Sequence, residues 1–205
     1  MIIMIIDRNV WIVRPLPHGV NRMNEFLHED IIAIGFPTGK SFENFSSDDF
    51  KKILASHGWD EGFKTVNLFV KYLNTNDIVV VPDNNKRDIY FGIIDSKYFH
   101  EPDKDVPYAN LYPHQRKVKW LFDKKPFLRS DLPDEIRGSL RYPGTIANIT
   151  KHREFIENII NLENTNTTTE PSLKGLAVTQ LKDLLTSQNE EIRIRAIELV
   201  MKHNL

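Results

Sequence analysis

The residues best suited to chemistry lie between His114 and Arg129. Arg116, Lys117, Lys119, Lys124, Lys125 and Arg129 stand there against Asp123 alone. Alternation over Arg116 to Phe122 predicts a strand in which Val118 and Trp120 share one face and Lys117 and Lys119 the other. A strand with an apolar inner face and a basic outer face suits contact with phosphates, and an ordinary solvated sheet face is the competing reading. A second pattern is Pro82-Asp83, eleven residues, then Asp95-Ser-Lys97, the spacing of metal-dependent nucleases. In such enzymes two acids hold Mg²⁺ and a lysine assists the attacking water. Asp83, Asp95 and Lys97 would take those roles, although a hairpin turn explains Pro82-Asp83 equally well.

Aromatic and amide groups suggest a binding pocket. Trp11, Phe36, Trp59 and Trp120 could each be plain core, Trp120 above all, but Trp11 and Phe36 end or flank strands beside prolines and glycines, where a pocket mouth is expected. An unstacked base needs flat rings plus a group that reads its edge, and Asn67, in an apolar helical stretch, could supply the amide. A structural asparagine is the alternative. The seven histidines show no metal-ligand spacing, no glycine-rich phosphate loop is present, and no elbow surrounds a serine. No metal or other cofactor is expected.

These residues must be held by a mixed framework. Two β-branched runs, Ile78 to Val81 and Ile89 to Ile94, flank a polar turn at Asp83 to Asp88 and predict a central hairpin. Gly92 in its second arm suggests a bulge or a close backbone approach. Further strands are expected at Met1 to Ile6, Val10 to Arg14, Ile31 to Phe36 and Thr145 to Ile149. Helices are expected at Asn21 to His28, from Ser47, at Glu61 to Leu73, at Pro133 to Leu140 and at His152 to Leu162. The fold class is therefore α+β, a small curved β-barrel with flanking helices, over residues 1–160. Residues 161–171 are polar and low in complexity, a flexible linker by composition. Residues 172–205 form a HEAT-like C-terminal helical hairpin, with Ile192, Ala196, Leu199 and Val200 lining its second helix. A single hairpin buries its face poorly, so it is expected to dock, self-associate or bind an effector such as a nuclease.

Composition narrows the classes. The net charge of −1 gives no global attraction to nucleic acid, so any such binding must be local. With no cysteine, disulfides and thiol chemistry are excluded, which fits a cytoplasmic protein. Met1 to Ile6 is too short for a signal peptide or membrane span, and no membrane partner is expected.

In order along the chain stand Trp11-Ile-Val-Arg14, Phe26-Leu27, Ile32-Ala-Ile-Gly-Phe36, Phe69-Val70, Asn76-Asp77-Ile-Val-Val80, Phe91-Gly-Ile93, Arg116-Lys-Val-Lys-Trp-Leu121 and Ser139-Leu140. This series resembles the EVE/YTH-like branch of the PUA superfamily, found at the front of Mrr- and McrB-type modification-dependent restriction proteins. The resemblance covers about residues 10–150. It implies a curved barrel that binds nucleic acid with a modified base turned out into an aromatic pocket, in a restriction or defence system. Trp11 and Arg14 match the family's Trp-x-Val-Arg strand. Phe36 stands where the family has tryptophan, and Asn76 replaces the usual glycine. The expectation is a non-catalytic module that reads modified DNA through Trp11, Arg14, Phe36, Asn67, Arg116, Lys117 and Lys119. An RNA reader and a small Mg²⁺-dependent nuclease are the alternatives.

Overall fold

A computed structural model describes residues 8–106, 109, 111–164, 181, 184, 185 and 189–203. The expected first strand at Met1 to Ile6, most of the linker and most of the first hairpin helix lie outside them. The chain divides into two compact units, Met1–Phe155 and Ile156–Leu205.

The first unit is built on one curled, half-barrel sheet, with helices beside it. Its strands are β1 (Val10–Val13), β2 (Ile31–Ile34), β3 (Ile78–Pro82), β4 (Asp88–Ile94), β5 (Phe99–His100), β6 (His114–Trp120), β7 (Phe127–Leu128) and β8 (Ile146–Asn148). The order is β2-β6-β4-β3-β1-β8, with β5 also on β6 and β7 also on β4. Only β1 and β3 run parallel among these pairs. The expected hairpin is therefore its centre, flanked on both sides, which is why both arms are apolar throughout. Two short strands, β5 and β7, had no sequence signal of their own.

Alternation along the strands assigns the two faces. Trp11, Val13, Val79, Val81, Ile94, Val118 and Trp120 enter the main core with Phe26, Phe50, Leu54 and Val66 from the helices, and with Phe69 just beyond the last of them. Those helices are α1 (Met23–Glu29), α2 (Ser47–Ser56) and α3 (Phe63–Asn67). The Ser46 hydroxyl accepts from the Asp49 amide while the Asp49 side chain accepts from the Ser46 amide, a capping box that starts α2. Gly92 is a close approach and not a bulge: pairing runs through it unbroken, and a Cβ there would meet Val118 Cγ1 at 2.3 Å.

The helix expected over Glu61 to Leu73 is not a single α-helix. A short 3-10 turn precedes α3, and a π turn, Leu68–Tyr72, follows it. The carbonyls at this end need donors from elsewhere. Arg116 supplies them, with Nε donating to Phe69 O at 3.0 Å and Nη2 to Val70 O at 3.1 Å. The unit continues through α4 (Asp134–Ser139) and β8 to the first turn of α5 (Arg153–Asn164).

In the second unit, Ile156, Ile159 and Ile160 of α5 are buried. On α6 (Glu190–His203), Ala196 is buried but Ile192, Ile194 and Ile197 are exposed. Ile192 thus departs from the expected buried line, and the side chains of Leu199 and Val200 lie outside the described residues. Among the described residues, no helix is long and apolar enough to cross a membrane.

Candidate nucleic-acid interface

The outer face of β6 forms as its alternation predicts. Lys117 and Lys119 are exposed, whereas Val118 and Trp120 are buried. Lys117 Nζ donates to Glu29 O at 3.2 Å, and Lys124 Nζ donates to Leu27 O at 2.7 Å and pairs with Asp30 at 2.8 Å. Both lysines thus serve the carbonyl end of α1, where cations are favoured. Lys119 and Lys125 have no carboxylate partner among the described residues and remain available to an anion. The turn between β6 and β7 is held in an uncommon backbone state, with φ of 57°, 51° and 62° at Phe122, Asp123 and Lys124.

Arg116 does not join this surface. It is 3 % exposed and also donates to Ser96 O at 3.3 Å. Its burial lowers its pKa to about 10, with Asp77 and Tyr98 acting against that fall. The expected phosphate ligand is a helix-end clamp. It borders a cavity of about 430 Å³, together with Lys71, Lys97 and Tyr98.

Trp11 likewise lies in the core. It is 3 % exposed, and its Nε1 donates to Asp77 Oδ2 at 2.8 Å. The same carboxylate accepts from the amides of Asn9 and Asn74, each at 2.9 Å. Asn76, just before it, takes φ 75°, a conformation asparagine tolerates where the resembled family has glycine. Arg14 donates to Tyr142 O and Leu140 O, at 2.7 and 3.0 Å from Nη2. Asn67 accepts from Ser47 Oγ at 2.8 Å and so joins α3 to α2.

Phe36 is different. It is partly buried, with φ 68°, at the end of β2. Its ring meets Trp59 edge to face at 5.8 Å, and His18 lies 5.4 Å from the same indole. Glycines let the rings sit this close to the chain. A Cβ on Gly62 would meet Phe36 Cε1 at 2.3 Å, and one on Gly35 would meet His18 Nε2 at 2.4 Å. His18 itself takes φ 53°. Its pKa is lowered by burial first, with Arg22 adding to the fall and a hydrogen bond with the Leu111 backbone opposing it. His18 Nε2 packs against Gly35 and is buried without a partner among the described residues.

Behind Phe36 lies a fixed polar network. His114 Nε2 donates to Phe36 O at 3.0 Å, so Nδ1 accepts from the Tyr98 hydroxyl at 2.8 Å. Burial drives the His114 pKa down to about 4 and the Tyr98 pKa up to about 12. Both groups are therefore neutral over the physiological range and hold the Phe36 carbonyl in place.

Trp11, Arg14, Phe36, Asn67 and the β6 cations are not gathered at one point. Of them, only Phe36 is placed in a half-open aromatic group. The companions missed in sequence, His18 and Trp59, come from separate connections. The signals that could have found them are Pro17-His18-Gly19 and Gly58-Trp59, each a ring beside a turn-forming glycine.

The nuclease pattern does not assemble. Asp83 begins the β3–β4 turn, where it accepts from Asn21, Asn84 and Asn85, and Asp95 follows the other end of β4. At about 3.4 Å per residue the length of β4 keeps them roughly 20 Å apart, too far to share a metal ion. No cluster of three or more metal-ligating groups occurs among the described residues.

A family model described as a domain of unknown function (DUF8426) matches residues 18–141. That is more than half of the chain, and the chain belongs to this family. The matched span contains His18, Phe36, Trp59 and the whole of β6. No curated protein matches the chain.

Proposed function

We propose that this member of a family without an assigned role is a non-catalytic reader of nucleic acid. It takes a modified base, turned out of its strand, against the rings of His18, Phe36 and Trp59. The observation that carries the reading is this partly buried trio of rings, with two of its residues at positive φ. Rings of this kind accept the flat face of a base. Lys119 and Lys125 supply attraction to phosphates without sequence information. The half-barrel is compatible with an EVE/PUA-like module serving a restriction or defence system, with modified DNA as the first expected ligand.

The test compares duplexes that differ only in one modified cytosine or adenine, with matched RNA. Stacking contributes about 1 to 3 kcal/mol per base, so Trp59→Ala should lower affinity for the preferred modified strand about tenfold or more. Binding to the plain strand should change little. Lys119→Ala should weaken both alike and reduce the salt slope by about 1. An unchanged modified-to-plain ratio in a folded Trp59→Ala protein would overturn the reading, and preference for RNA would redirect it.

A further inference from the structure

A second basic site lies at the far end of the central hairpin. Lys86 and Arg87 come from the β3–β4 turn, Arg129 and Ser130 from the turn after β7, and Arg137 and Arg141 from α4 and the residues behind it. Together they line a cleft of about 490 Å³ that contains no acidic side chain. The backbone fixes the arrangement: Arg129 N donates to Arg87 O at 2.8 Å, and Arg129 Nη2 donates to Arg137 O at 3.2 Å. Arg14, bonded to the carbonyls of Leu140 and Tyr142, holds the segment that carries Arg141.

The charges here are poorly compensated. Arg87 pairs with Asp88 and Arg137 with Asp134, but Lys86, Arg129 and Arg141 have no carboxylate partner among the described residues. Arg137 Nε is buried without a partner. Burial lowers the Arg129 pKa, and the neighbouring Arg14, Arg141 and Arg137 lower it further. Cations crowded in this way repel one another until an anion enters. Arginine forks match phosphate oxygens in pairs, and three unpaired cations balance about the charge of two adjoining phosphates.

We infer that this cleft is a binding site for two adjoining phosphate groups, whether of a free diphosphate or of a nucleic-acid strand. It stands on its own charges and needs no nucleobase, so it can hold if the aromatic reading fails. The test is calorimetric titration of the whole chain with inorganic pyrophosphate at low ionic strength, then competition against a ten-nucleotide single strand. Pyrophosphate should bind, and Arg129→Gln with Arg141→Gln should weaken it by about tenfold or more. Lys40→Ala, at an exposed lysine outside the cleft, should leave it unchanged. Should the arginine pair melt early, Lys86→Ala with Arg141→Ala, both on exposed residues, reports the same loss. Displacement of the strand by pyrophosphate assigns the site to strand phosphates, and binding of both together assigns it to a free diphosphate. No pyrophosphate binding, or binding unaffected by the Lys86 and Arg141 substitutions, would overturn the site.

Discussion

Replacing Arg116 by alanine should destabilise the first unit by about 2 to 4 kcal/mol, because it strips donors from one buried and two part-buried carbonyl groups. Phe69 O and Val70 O lie at the π turn that ends the α3 segment, and Ser96 O follows β4. Phe69 O then lacks the guanidinium in a buried place, while Val70 O and Ser96 O lose it where they are part-buried. Lysine should rescue only part of the loss, since one ammonium cannot reproduce the fork that reaches all three. Denaturant unfolding of the alanine and lysine variants measures both effects. A loss below about 1 kcal/mol for alanine would show that the clamp contributes little beyond a surface arginine.

Trp11→Ala should be comparably damaging, at about 3 to 5 kcal/mol for a buried large aromatic residue. The cost has two parts. A cavity opens where the indole packs among the core residues, and Asp77 loses one of its three donors. Trp11→Phe separates them by retaining most of the volume while removing the Nε1 donor, with an expected loss of about 1 to 3 kcal/mol. If the alanine variant folds at low temperature, its ratio of affinities for modified and plain strands should equal that of the unaltered protein. A collapse of that ratio without loss of melting temperature would return Trp11 to the binding pocket.

Much of the sheet was legible because β-branched runs and strict alternation report burial directly. Val118 and Trp120 turn inward while Lys117 and Lys119 turn outward, as their spacing requires. Arg116 escaped because its acceptors lie 46 and 47 residues earlier, at a π turn with no period of its own. Its charge alone suggested a surface. Trp11 was hard to place for a similar reason: the carboxylate that satisfies its indole inside the core, Asp77, lies 66 residues further along the chain. The aromatic trio was half visible. Phe36 stood out by its position after Gly35, but His18 and Trp59 join it only through backbone turns with positive φ at His18, Gly19, Phe36 and Gly58. The clefts could not be read at all, since Lys86, Arg129 and Arg141 meet through strand register and not through sequence proximity.

Tryptophan emission offers the most direct measurement of the proposed base pocket. The chain has three tryptophans, and Trp11 and Trp120 are buried while Trp59 is partly open. A base stacked on the trio should quench Trp59 as the preferred modified strand is titrated in, and the quench should saturate with binding. In Trp59→Phe a ring remains for stacking, so binding measured independently should persist while the quench disappears. If the quench survives in Trp59→Phe, or never appears although the strand binds to saturation, the base does not rest on these rings and the proposed pocket is wrong.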